Sequence, residues 1–255
     1  MAHMPPEALT LAVFIGATFV AAGFVKGVVG MGLPTVAMGV LSVVMAPAAA
    51  AAMLVVPSLV TNVWQLVAGP AFGAIARRLA TMMVAAFAGT LLGIGVITGA
   101  SAGLAGAALG AVLVLYGVLG LAAPKFTVPR RAEPWLSPLV GLLTGLVTGA
   151  TGVFVVPAVP YLNSLGFAKE ELIQALGLSF TVSTLALATA LATRGQFQAG
   201  VAWTSGLAVL PALCGMYVGQ RLRARMDPIT FRRWFFAGLT ALGLYMVLRA
   251  AWRAA

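Results

Sequence analysis

Lys26 is the residue in this chain with the most chemistry to offer. It follows about 18 apolar residues and precedes the run Gly27-Val28-Val29-Gly30-Met31-Gly32-Leu33-Pro34. A lysine near a bilayer centre costs about 2.5–3.5 kcal/mol even on lenient insertion scales, so it must face a polar cavity or a partner. At an interface it would instead snorkel to headgroups. No acid lies in an apolar run to neutralise it: Glu7, Glu133, Glu170, Glu171 and Asp227 all fall in the N-terminus or in expected loops. The missing counter-ion is then expected from outside the protein. An anionic substrate fits, because backbone amides of helices that start after a break also attract negative charge.

Ser58, Thr61, Asn62 and Gln65 recur at a spacing that puts them on one helical face. Ser179, Ser183 and Thr184 form a second polar group further along. Neutral donors suit an anion that must bind and leave, since each hydrogen bond is modest. A single Ser or Thr also serves interhelical hydrogen bonding, whereas Asn62 and Gln65 are costlier amides in apolar surroundings. Trp64 either lines a cavity or packs. With no carboxylate in the apolar runs, coupling would use protons carried on the substrate, backbone carbonyls or the membrane potential. An inside-negative potential assists export of a monoanion by about 2.3 kcal/mol per 100 mV.

Enzymes, metals and cofactors fit poorly. The single histidine, His3, lies in Met1-Ala2-His3-Met4, which reads as a cloning remnant, and the single cysteine, Cys214, reads as a buried packing residue. Hydrolytic chemistry needs a base, and Lys26 alone would have to supply it. No cofactor or metal is expected.

These residues need helices in lipid to position them. The chain has 255 residues, 62% hydrophobic and 8% charged, with mean hydropathy +1.07. Soluble domains carry about 25% charged residues. The expected fold is an all-α polytopic membrane protein with helices near 8–25, 33–46, 48–68, 79–98, 102–122, 136–148, 153–165, 171–193, 200–221 and 231–250. Two pairs, flanking 26–34 and 148–152, are short enough to be re-entrant or broken hairpins. The net charge of +10 is dispersed between apolar runs, which argues against nucleic acid. Arg77, Arg78, Lys125, Arg130, Arg131, Lys169, Arg221, Arg223, Arg225, Arg232 and Arg233 fall on one set of connections; Arg194, Arg249 and Arg253 fall on the other. Positive residues mark the cytoplasmic side, so a multi-pass protein of the cell (inner) membrane with both termini outside is expected.

The sequence also reads as a duplication. Gly23-Phe24-Val25-Lys26-Gly27 through Pro34 is echoed by Gly141-Leu142-Leu143-Thr144-Gly145 through Gly152, and Gly89-Thr90-Leu91-Leu92-Gly93 by Gly215-Met216-Tyr217-Val218-Gly219. The expected organisation is a tail over 1–7, a first repeat over 8–126, a linker over 127–135 and a second repeat over 136–255. An odd number of segments per copy inverts the second copy, as in secondary transporters whose paired glycine-interrupted segments flank a central site. Glycines four apart on continuous helices, such as Gly89 and Gly93, read as close packing.

The two glycine motifs, together with Pro57-Ser58-Leu59-Val60-Thr61-Asn62-Val63-Trp64-Gln65, resemble the TauE/SafE family of sulfite and organosulfonate transporters over essentially the whole chain. The resemblance implies passage of sulfur-containing anions such as sulfite or sulfoacetate, often outward. It also implies a substrate region at Lys26, Gly30, Gly32, Thr148, Gly149, Thr151 and Gly152, to which the polar faces add Ser58, Asn62, Gln65, Ser179 and Ser183. The function expected is a secondary transporter working by alternating access, with a small anion and the bilayer as partners; proton coupling and a homodimer stay open. The alternatives are an anion channel, a carrier of small carboxylates and, further off, a membrane-embedded enzyme.

Overall fold

The computed structural model describes residues 6–99, 102–123, 126–223 and 225–254, and within them the chain is helical without a strand. The expected remnant at Met1 to Met4 and the loop cation Lys125 lie outside the described residues. The helices in chain order are α1 (Pro6–Val29), α2 (Leu33–Leu41), α3 (Pro47–Val67), α4 (Phe72–Gly99), α5 (Ala102–Ala122), α6 (Glu133–Thr151), α7 (Ala158–Ser164), α8 (Lys169–Thr193), α9 (Ala199–Leu207), α10 (Val209–Arg223) and α11 (Pro228–Ala254). Among the described residues, seven spans, counting α9 with α10 as one, are long and apolar enough to cross a membrane.

Several boundaries depart from the sequence expectation. α1 runs past residue 25 to Val29, so Lys26 lies inside the helix, and the break is confined to Gly30, Met31 and Gly32. Gly30 and Gly32 have φ of 85° and 104°, a region that a side chain disfavours. α6 likewise continues through Thr151 before Gly152 takes φ 71° and donates to the Thr148 carbonyl at 2.7 Å. α2 stops at Leu41 and α7 starts only at Ala158. The segment expected over 200–221 is two helices. Pro211 is the cause, because it has no N–H for the Leu207 carbonyl and its ring crowds that carbonyl.

Four of the five acids sit at the starts of helices, not in loops: Glu7, Glu133, Glu170 and Glu171 occupy first turns. There they meet the positive end of the helix dipole. Asp227 caps α11 by accepting from the amides of Ile229 and Thr230 and the Thr230 hydroxyl, which holds its carboxyl below the usual range. Cys214 is exposed, contrary to the packing expectation. On a membrane helix an outward apolar side chain meets lipid, so apolar character no longer implies an interior position.

Glycine seams hold the helices in pairs. A Cβ on Gly23 or Gly27 of α1 would fall within 3.0 Å of the Ala212 or Met216 carbonyl of α10, and one on Gly215 or Gly219 would meet Val20 or Phe24. α4 and α6 interlock in the same manner, Gly141, Gly145 and Gly149 lying against Met82, Ala86 and Thr90, and Gly89 and Gly93 against Leu142 and Leu146. α3 packs on α8 and α5 on α11. Gly145→Leu should cost about 1–3 kcal/mol by overpacking, read as a lower unfolding temperature in detergent. Gly95→Leu, where a Cβ meets nothing within 4 Å, should leave that temperature unchanged.

Polar clamps complete the frame. Arg78 grips Glu133 in a two-pronged ion pair at 2.7 and 2.8 Å, donates to the Leu165 carbonyl at 2.9 Å and stacks on Phe167. Arg78→Met should lower stability by about 1.5–3 kcal/mol, the worth of charged hydrogen bonds, in a detergent denaturation measurement. Gln174 bonds the Ala71 amide and the Leu66 and Gly69 carbonyls, pinning the α3–α4 turn onto α8. Pro57 deprives the Met53 carbonyl of its helical donor, and Ser205 of α9 replaces it at 2.7 Å while accepting from the Val56 amide.

Candidate functional site

Lys26 is 4% exposed. Its ammonium donates to the Thr61 hydroxyl at 3.1 Å and to the Asn62 side-chain carbonyl. Thr61 passes its own proton back to the Pro57 carbonyl at 2.8 Å, and the Asn62 amide donates to Thr184 of α8 at 3.3 Å. Lys26 makes no ion pair among the described residues. An ammonium has three N–H donors, and two protein acceptors, both neutral, hold it here. The positive charge is therefore oriented without being cancelled.

A cavity of 280 Å³ reaches this lysine, lined by Lys26, Gly27, Gly30, Thr61, Trp64 and Gln65 on one side and by Glu170, Ile173, Met216, Gln220 and Arg223 on the other. Trp64 thus lines the cavity. Glu170, Gln220 and Arg223 were not singled out from sequence, because they belong to helix ends that looked like ordinary charged turns. Gln65 is anchored by a bond from its amide to the Ile173 carbonyl at 3.0 Å. A larger cavity of 520 Å³ between α5, α7 and α11 is walled by Tyr116, Leu119, Val159, Phe236 and other mostly apolar groups, with Arg232 at its edge. It includes none of the polar α3 face, so size does not make it the site.

The remaining candidates lie elsewhere. Ser58, Ser179 and Ser183 are buried with hydroxyls that lack a protein partner among the described residues, as is Thr144. Thr148 donates to the Thr144 carbonyl, and Thr151 donates to Val147 while accepting from the Val153 amide. Gly149 sits in the α4–α6 seam, Gly152 turns the chain beside Met38, and Gly32 does so beside Phe235 and Val25. The structure therefore gathers Lys26, Gly30 and Gln65 at one cavity, with the fully buried Asn62 behind them bonded to Lys26, and places the second glycine motif in helix packing and a turn.

A buried, uncancelled cation at the floor of a cavity, among neutral polar groups, is an arrangement for receiving an anion. The family described as Sulfite exporter TauE/SafE matches residues 15–246. The chain belongs to the TauE/SafE family. A protein of Cupriavidus necator named as a probable sulfite/organosulfonate exporter TauE is 29% identical over 246 residues, covering 90% of this chain and 91% of that one. No solved structure matches this chain. As a TauE/SafE protein, the chain is a multi-pass membrane transporter.

Proposed function

We propose that this protein is a secondary transporter that exports a sulfur-containing anion, sulfite or a sulfonate, by alternating access between two inverted repeats. The observation that carries the reading is Lys26, buried at a cavity floor and held by the neutral acceptors of Thr61 and Asn62. A carboxylate partner would cancel the charge; two neutral ones leave it for the cargo. The family description and the name of the Cupriavidus necator relative favour sulfur anions over small carboxylates.

Packing supports the repeat, in a register different from the one the motifs suggest. The seam contacts pair Gly23 with Gly145 and Gly27 with Gly149, because Gly23 meets Ala212 as Gly145 meets Ala86, and Gly27 meets Met216 as Gly149 meets Thr90. The motif alignment pairs Gly23 with Gly141, four residues away. A glycine at every fourth position makes the two registers look alike in sequence, and one helical turn separates them. In the packing register Gly30 corresponds to Gly152, both with positive φ, and Lys26 corresponds to Thr148. Helix pairing follows the same exchange: α1 with α10 and α4 with α6 swap, while α3–α8 and α5–α11 pair with themselves. The domains proposed are a first repeat over 8–126, a linker over 127–135 and a second repeat over 136–255. The clustering of arginines favours a cytoplasmic mouth for the Lys26 cavity and termini on the outer side.

The experiment is flux from proteoliposomes of purified protein, with sulfite, sulfoacetate, taurine, sulfate and acetate compared at equal concentration. Saturable sulfite or sulfonate flux that exceeds acetate flux supports the proposal. Non-saturating flux would mean a channel, acetate preference would mean a carboxylate carrier, and a strict sodium requirement would overturn export driven without an ion partner.

A further inference from the structure

We propose that Arg223 and Glu170 are the gate of the Lys26 cavity, closed by a swing of α10 about a joint at Pro211. The inference rests on the transporter reading, and four observations carry it. Glu170 stands on the α8 wall of the cavity and Arg223 on the α10 wall, both exposed and without an ion pair between them. They have opposite charges, and among the described residues neither has a side-chain hydrogen bond or an ion pair to hold it in place. Second, the two parts of the divided helix pack unequally on α3. α9 carries most of the contact that this pair of helices makes with α3, whereas α10 barely touches α3, and the cavity lies between α10, α3 and α8.

Third, α4 is one unbroken helix, while its counterpart is divided at Ala208 into α9 and α10. Pro211 leaves the Leu207 carbonyl without its helical donor, so bending there breaks no hydrogen bond that the proline has not already removed. Fourth, the two parts are anchored differently. α9 is fixed to α3 through Ser205, which bonds the Met53 carbonyl and the Val56 amide. α10 has no such tie to α3 and holds instead to α1 through the glycine seam. The part beyond the proline, moving together with the stretch of α1 seamed to it, can approach α3 and α8 while the part before it stays. Closure in this direction narrows the cavity mouth and brings the Arg223 guanidinium toward the Glu170 carboxylate. An exposed pair of this kind is weak, which suits a latch that must open on every cycle.

The test uses the full chain in membrane vesicles, with Cys214→Ser as background. Glu170→Cys with Arg223→Cys should be joined by a short bifunctional thiol reagent, and adding Pro211→Ala should lower the yield severalfold. Arg78→Cys with Glu133→Cys, whose parent side chains touch, is the positive control. In flux measurements Glu170→Arg and Arg223→Glu should each lose rate severalfold, and the double exchange should recover it. A control pair that links while the 170–223 pair does not would overturn the gate, as would a yield indifferent to Pro211→Ala or a double exchange no better than the singles. Sulfite flux of the parent protein is measured alongside. If the parent carries no anion, the transporter reading fails; if it does and the cross-link is absent, only the gate fails.

Discussion

Lys26→Gln should weaken anion binding roughly tenfold to a hundredfold, the worth of a charge-assisted hydrogen bond of about 1.5–3 kcal/mol. Glutamine keeps an N–H donor and much of the reach, so Thr61 and Asn62 retain a partner and the fold has no new unsatisfied group of consequence. What disappears is the charge. Titration of sulfite into the purified variant reads the affinity, and proteoliposome flux reads the transport. A variant that binds and carries as the parent does would remove Lys26 from the site and leave it a tie between α1 and α3. Lys26→Arg should not rescue fully, because the planar guanidinium cannot place its donors where an ammonium meets Thr61 and Asn62.

Asn62→Asp should produce a loss of similar size by the opposite route. The side chain keeps its shape and its acceptor toward Lys26, and the substitution puts a carboxylate where a neutral carbonyl now holds the ammonium. The lysine then has an internal counter-ion, and an entering anion meets a neutral site. The new ion pair with Lys26 offsets the loss of the amide's bond to Thr184, so the unfolding temperature in detergent should stay close to that of the parent. The two variants together separate charge from shape. Affinity lost in both, with stability kept in Asn62→Asp, assigns the effect to electrostatics; full binding by Asn62→Asp would mean that the cargo is held by something other than the ammonium.

Much of this site was legible in the sequence because membrane cost makes polar residues conspicuous. Lys26 stood out by the absence of any acid in the apolar runs, and Asn62 and Gln65 as costly amides on one helical face; the structure puts Lys26 and Gln65 at one cavity and Asn62 behind it, bonded to the lysine. The second glycine motif looked equivalent on paper, yet Thr148 and Thr151 spend their hydroxyls on their own helix and Gly149 on packing. Sequence spacing does not tell a glycine that makes room for a ligand from one that makes room for a backbone. In the repeat proposed above, the register was not legible in the motifs, since a glycine at every fourth residue tolerates a slip of one turn. Pro211 was in plain view, but a proline in an apolar run can bend a helix slightly or divide it, and the decision rests on neighbours such as Ser205. Cys214 misled because its apolar surroundings are lipid.

The glycine seam between α1 and α10 has a mechanical consequence. Where two backbones touch directly, no side chains lie between them to change rotamer and absorb a displacement, so the helices move as one piece or not at all. α1 is released at its far end by the Gly30 to Gly32 bend, as α10 is at Pro211. A swing of α10 therefore drags Lys26 with it, while Thr61 and Asn62 stay behind on α3. Shutting the door and shifting the grip on the cargo become a single stroke, with the seam as its connecting rod.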